Sequence, residues 1–155
     1  MEEKSDYTLV SAPENTADWE TYHRIRREEL FEARGRIGIY DANRAEEKFP
    51  NHFSLLFKYQ GRAIGTTRLD VREDGTAIVR LVAIIKNEQR KGHGSELAKC
   101  VEEIARAKGV QKLLVNAVPD AVGYYEKLGY VRDDWDPNEL TGISANSIQM
   151  SKVLN

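Results

Sequence analysis

Residues 82–97 read V-A-I-I-K-N-E-Q-R-K-G-H-G-S-E-L. An apolar run breaks there into a polar turn carrying Gly92 and Gly94, then resumes with Leu97, Val101, Ile104 and Ala105 at helical spacing. The pattern predicts a strand, a glycine-rich turn and a helix in immediate succession. The first N–H groups of such a helix have no acceptor within it, and its dipole adds roughly half a positive charge at that end. Glycines let a ligand approach the backbone without Cβ interference, so the unit is suited to receive phosphate. The spacing is neither the nucleoside-triphosphate loop ending in G-K-[ST] nor the three-glycine dinucleotide fingerprint. Taken alone, a G-x-G turn also serves as a plain connector.

Outward from this turn, residues 76–85 form the most hydrophobic predicted strand and belong at the sheet centre. Asp74-Gly75 before it is a hairpin signal that pairs it with residues 62–71. Gln60-Gly61 turns the chain back to residues 53–59, where Phe53, Leu55, Phe57 and Tyr59 alternate with polar or mixed positions. That period of two predicts a strand with one buried face, and the three strands an antiparallel meander. Upstream, residues 7–12 read as a short strand closed by Pro13. Asn15, Thr16 or Asp18 then caps a helix through Trp19, Tyr22, Ile25, Leu30 and Phe31. Gly35 and Gly38 interrupt it, and residues 37–49 fit either a short second helix or a loop.

Downstream, the helix of residues 92–108 stops at Gly109, and the apolar strand 112–117 follows by a right-handed parallel crossover. A short helix over residues 119–128 ends at Gly129, and Tyr130-Val131 opens another strand. Residues 132–142 form a polar loop before a last strand at 147–153. There is no internal repeat. The expected architecture is one α+β domain over residues 1–155, with a mixed sheet flanked by helices.

Composition bounds the function. At 155 residues, 41% hydrophobic and 31% charged, the chain suits a soluble globular domain with a real core. With 23 basic against 25 acidic side chains and a net charge of -2, nothing proposes nucleic acid or an anionic membrane as a partner. The lone cysteine, Cys100, excludes an internal disulfide and reads as a packed thiol in a reducing compartment. The first ten residues are acidic and polar, unlike a secretory signal, and no apolar run approaches the roughly 20 residues that span a bilayer. A cytoplasmic protein is expected. His23, His52 and His93 are too dispersed for metal-ligand spacing, so no metal is expected. The oligomeric state stays open, a homodimer included.

The run from Gln89 to Gly94, Q-R-K-G-H-G, resembles the pyrophosphate-binding signature Q/R-x-x-G-x-G/A of the GCN5-related N-acetyltransferase (GNAT) family. About thirty residues on, Ala121 to Tyr130, A-V-G-Y-Y-E-K-L-G-Y, is similar to that family's second signature. The resemblance implies a central mixed sheet flanked by about four helices, with a gap between the fourth and fifth strands. It implies an enzyme that moves an acetyl group from acetyl-coenzyme A to a primary amine by direct attack on the thioester. The acceptor would be a small molecule. The alternative is a module of the same fold that binds acyl-coenzyme A as a sensor, without turnover.

Carried over by position, the resemblance assigns the pyrophosphate to Gln89, Arg90, Lys91, Gly92, His93, Gly94 and Ser95, largely through backbone N–H groups. It assigns the pantetheine arm to the backbone of Val82, Ala83 and Ile84, and the general acid to Tyr125. A phenol of pKa about 10 is protonated at neutral pH and can reprotonate a departing thiolate. Tyr125 also shares a helix face with Val122 and Leu128, as a core aromatic would. The general base is open among Glu28, Glu29, Asp41 and Asp70. Two positions depart from the family pattern: Lys86 stands where proline is common, and Val118 where an asparagine often contacts the cofactor. Asn116 either substitutes for that asparagine or serves as a strand-end hydrogen bonder.

Overall fold

The computed structural model describes residues 6–155, so half of the polar stretch at residues 1–10 lies outside the described residues. Seven strands, β1 (Tyr7–Ser11), β2 (His52–Tyr59), β3 (Arg62–Val71), β4 (Thr76–Ile84), β5 (Lys112–Ala117), β6 (Val131–Arg132) and β7 (Ile148–Val153), build one sheet. Its order is β1-β2-β3-β4-β5-β7-β6, which puts β4 at the centre as its hydrophobicity requires. The expected antiparallel meander is β2, β3 and β4, and β5 joins β4 in parallel. The last strand inserts between β5 and β6. Nothing in the local pattern of residues 147–153 announces that insertion, because pairing partners are chosen by long-range contacts.

Both faces of the sheet are covered. Leu55, Phe57, Leu69 and Val79 pack under Leu97, Val101 and Ala105 of α2 (His93–Ala107). On the opposite face Leu56 and Ala83 pack against Tyr22 and Ile25 of α1 (Thr16–Arg26). β2 is therefore buried on two sides rather than one, with Ser54, Leu55, Leu56 and Phe57 all inaccessible. Asn15 caps α1 through its side chain, which accepts from the Asp18 N–H at 3.0 Å. The helix runs on as a wide π turn over Arg27–Phe31 and a tight turn over Glu32–Arg34, and stops at Gly35 with φ +77°. Residues 37–49 are mostly loop and turns, with one short 3₁₀ helix, Ala45–Lys48. With α3 (Val122–Lys127), the described residues contain three α-helices, besides the π turn and several short 3₁₀ segments. Cys100 is a free, half-buried thiol that burial, then Glu103 and Glu96, push above its ordinary pKa.

The feature that positions the site is where β4 and β5 part. Their ladder runs from Thr76↔Lys112 to Val79↔Val115 and ends, although β4 continues to Ile84 and β5 to Ala117. Next to that point the β3–β4 register jumps from Arg68↔Arg80 to Thr66↔Ala83. The bulge holds Leu81 at φ +55°, a conformation that a bulky L-residue rarely takes. Thr67 Oγ1 donates to the Arg80 carbonyl at 3.0 Å and fixes the bulge from the β3 side. Gly65 makes the close approach of β3 and β4 possible: a Cβ there would lie 2.6 Å from the Ala83 carbonyl oxygen and 2.8 Å from Ile84 Cδ1.

Gly65→Ala is accordingly expected to force the two strands apart and destabilise the fold by about 1–3 kcal/mol, the usual cost of overpacking. Urea unfolding of the two proteins measures it. An unchanged midpoint would show that the strands have slack at this point.

Candidate active site

The turn that opens α2 is an uncapped helix end. Gly92 takes φ +85° and Arg90 φ +63°, and no side chain caps the helix. Among the described residues, no protein group outside the helix accepts from the N–H groups of residues 90–95. Arg90, Lys91, Gly92 and Ser95 are exposed. An uncapped N-terminus with two adjacent cations is suited to an anion.

The turn is held from within by side chains that the motif also contains. His93 is buried; its Nδ1 lies 2.7 Å from the Tyr7 hydroxyl and its Nε2 3.0 Å from Glu88 Oε2. Glu88 also pairs with Arg62 and, at 3.7 Å, with Lys91. The Gln89 side chain donates to the Ile84 carbonyl at 2.8 Å and closes the end of β4. From α3, the Tyr124 hydroxyl donates to the Gly94 carbonyl at 2.8 Å, and its ring packs closely over the glycine, where an added Cβ would lie 3.1 Å from Tyr124 Cε1 and require the ring to shift slightly. The side chains of Gln89 and His93 thus shape the turn, while its amides stay open.

At the other end of the gap lies a cavity of about 720 Å³, lined by Leu81 and Val82 of β4, Asn116 and Ala117 of β5, and Tyr124 and Tyr125 of α3. Tyr125 is half-buried, its ring edge-on to Tyr124 at 4.9 Å and to Tyr130 at 5.2 Å. Its hydroxyl has no protein hydrogen-bond partner among the described residues. Burial, and then the neighbouring Tyr124 phenol, raise its pKa above that of a free phenol. Tyr124 is pushed up to about 12 by burial. Tyr125 therefore remains a proton donor across the physiological range.

The remaining wall of the cavity is ionic. Glu47 accepts from Arg26 at 2.5 Å, Arg68 at 3.0 Å, Ser54 at 2.9 Å and Tyr22 at 3.2 Å. Arg68 grips Asp70 with two bonds of 2.7 and 2.9 Å, and Asp70 accepts a third from Arg80 at 2.7 Å. Arg80 reaches on to Glu139 at 2.7 Å; Glu139 accepts from Asn116 at 3.3 Å, and Asn116 from Gln149 at 2.9 Å. The string crosses β3, β4, β5 and β7. Burial alone would raise the Glu47 pKa, but the charge and hydrogen bond of Arg26, with Arg68 and Ser54, outweigh it and hold the carboxyl below its usual range.

These partners were not apparent in the sequence, since 21 residues separate Glu47 from Arg26 and 59 separate Arg80 from Glu139. The available signal was charge in the wrong place: Arg68 and Asp70 alternate inside one strand, and Arg80 interrupts the most apolar one. Of the candidate bases, Asp41 lines the cavity, whereas Glu28 and Glu29 flank a separate depression with Arg24 and Lys86. Asp70 is enclosed by arginines. Glu139, which the sequence did not single out, stands where β4 and β5 separate, because Arg80 and Asn116 directly follow the last paired residues. Asn116 faces the cavity with both ends of its amide engaged by protein. Lys86 begins the short turn Lys86–Glu88, so the chain leaves the sheet here without a proline. No cluster of three or more potential metal ligands occurs among the described residues, and none of their helices is long and apolar enough to cross a membrane.

The model of the acetyltransferase (GNAT) family matches residues 16–130. A Bacillus subtilis (strain 168) protein named "Putative acetyltransferase" is 28% identical over 76 residues, 49% of this chain and 51% of its own length. The chain thus spans about half the length of the curated relatives it matches. Among solved structures, a "putative N-acetyltransferase" from Lactobacillus plantarum superposes with a TM-score of 0.79 at 22% identity, covering 97% of this chain and 100% of that one. The PaiA N-acetyltransferase from Thermoplasma acidophilum, in complex with coenzyme A, gives 0.70 at 16% identity over 96% and 99%. At these identities the structures share the fold.

Glu47→Gln leaves Arg26 and Arg68 without their common counter-charge and is expected to cost about 3–5 kcal/mol, as for other broken buried pairs. Because the folded carboxyl titrates below its unfolded value of about 4.3, its contribution is complete above that pH and is lost as pH falls through the folded value. Urea unfolding from pH 3 to 7 should give the variant a shallower acid limb. Parallel limbs would mean that Glu47 is not the titrating group.

Proposed function

Since the chain belongs to the GNAT acetyltransferase family, whose model matches residues 16–130, we propose that it transfers the acetyl group of acetyl-coenzyme A to the amine of a small molecule. One observation carries this reading: the unpaired edge of β4 runs from the open amides at the start of α2 to the cavity that holds Tyr125. In it, the pyrophosphate lies on the N–H groups of Arg90 to Ser95, supplemented by Arg90, Lys91 and the Ser95 hydroxyl. The pantetheine arm extends the sheet along Val82, Ala83 and Ile84. At the bulge, a backbone N–H near Val82 polarises the thioester carbonyl, and one such donor can contribute about 3 kcal/mol in the transition state.

The chemistry needs a neutral amine at the start and a proton at the end. Glu139 is the carboxylate at the parting of the strands, and we assign it the proton of the incoming ammonium. Arg80 and Asn116 position it. The freed nitrogen lone pair attacks the thioester carbon, and the tetrahedral intermediate collapses with breakage of the C–S bond. The departing sulfur takes its proton from the Tyr125 hydroxyl, whose raised pKa keeps that proton available, and the phenolate left behind takes the proton that the attacking nitrogen sheds as it becomes the neutral amide. Gln89, His93 and Tyr124 act by shaping the cofactor's binding edge.

Tyr125→Phe tests the assignment. Turnover in a thiol-release assay is expected to fall about 10²-fold or more while affinity for coenzyme A stays within about threefold. The alkaline fall in wild-type rate due to Tyr125 should lie above about pH 10, on the high side of a free phenol. Equal turnover in the variant would remove Tyr125 from the mechanism. A wild-type protein that binds acetyl-coenzyme A but releases no thiol with any amine would instead be a binding module.

A further inference from the structure

The cavity's charge is opposite to that of the molecule. The whole chain carries a net charge of -2, yet six arginines and four carboxylates line the cavity, with no lysine. Four of the arginines are neutralised: Arg26 and Arg68 by Glu47, Arg80 by Glu139, and Arg44 by Glu46 at 2.9 Å. Arg34 and Arg36 are not, since no carboxylate lies within ion-pair distance of either among the described residues. The only lining carboxylate outside an ion pair is Asp41, and it accepts from the Asn43 N–H at 2.8 Å.

Both free guanidinium groups come from an ordered element. They straddle Gly35, whose left-handed backbone ends the long first helical segment, and the turn is closed by Gly35 N–H to Glu32 carbonyl at 3.0 Å and Arg36 N–H to Phe31 carbonyl at 2.8 Å. Arg36 is half-buried. They line the cavity from the α1 side, with Arg34 exposed, whereas Glu139 lines it from the segment between β6 and β7. A bare cationic amine would approach a cavity with an excess of positive charge. An amine that carries its own carboxylate would present the ammonium to Glu139 and the carboxylate to a planar guanidinium, which matches it in charge and in bidentate geometry.

We propose that the acceptor is an amine bearing a carboxylate, an amino acid or a close derivative, with Arg34 and Arg36 as the groups that read the carboxylate. This rests on the acetyltransfer reading above and adds the class of acceptor to it. A charge-assisted hydrogen bond contributes enough to change a rate constant by about tenfold or more, so the selectivity is measurable.

The test uses the full chain, acetyl-coenzyme A and matched pairs: each common amino acid and its carboxamide, with phosphoethanolamine and unsubstituted alkylamines alongside. Thiol release gives kcat/KM, and melting temperature in the presence of coenzyme A gives binding without turnover. For at least one pair the acid is expected to exceed its amide by about tenfold or more. The double variant Arg34→Gln, Arg36→Gln should bring that ratio close to one, and Glu103→Gln, exposed on α2, should leave it unchanged. Amides or plain alkylamines used as well as acids would overturn the proposal while leaving acetyltransfer standing. Preference for phosphoethanolamine would overturn it in favour of a phosphorylated acceptor. If no amine releases thiol, acid-over-amide stabilisation that is lost in the double variant would support the carboxylate site and remove the transferase reading. Absence of both signals would overturn the proposal too.

Discussion

The structure depends on a hydrogen-bonded ladder that stops early. β4 and β5 pair as far as Val79 and Val115 and then diverge, so a stretch of strand edge at the middle of a seven-stranded sheet keeps unpaired backbone groups. An interior edge is costly unless something pairs with it or solvent reaches it. Here the bulge at Leu81 turns the edge, and the gap opens into the large cavity. The packing on either side frames the divergence. α2 covers one face of the sheet and α1 the other, and Gly65 lets β3 follow β4 through the bulge without a collision.

Where backbone pairing fails, side chains bridge. Arg80 on β4 and Asn116 on β5 directly follow the last paired residues, and both hold the carboxylate of Glu139. The string continues through Gln149 into β7 on one side and through Asp70, Arg68 and Glu47 to α1 on the other. Buried charges of this kind add little net stability over apolar packing, but losing one partner is costly because the others are left uncompensated. Such a network fixes relative positions: it sets how far the strands stand apart and keeps one wall of the cavity ionic.

The glycine turn that opens α2 follows the same logic in reverse. Its backbone is left unsatisfied and its side chains are anchored. His93 is held by Tyr7 and Glu88, Gln89 is attached to Ile84, and Gly94 is held by Tyr124. A helix N-terminus whose shape is fixed before a ligand arrives loses little conformational entropy on binding.

The sequence by itself determined the elements and their order, because hydrophobic period, glycine placement and capping residues act over a few positions. The central strand, the turn at Gly92 and Gly94, the crossover to β5 and the placement of Tyr125 on a short helix were all legible on that basis. It also pointed to the family, through two short signatures in the right order. The double-sided burial of β2 and the insertion of β7 between β5 and β6 were decided by tertiary packing, since each depends on what covers an element rather than on its own pattern. The charged wall of the cavity was the least legible part. Arg68 and Arg80 stand out in sequence only as charges inside strands, and Arg26, Glu47 and Glu139 look like ordinary surface charges; only the folded chain brings them within hydrogen-bonding distance, because electrostatic partners are selected by proximity in space.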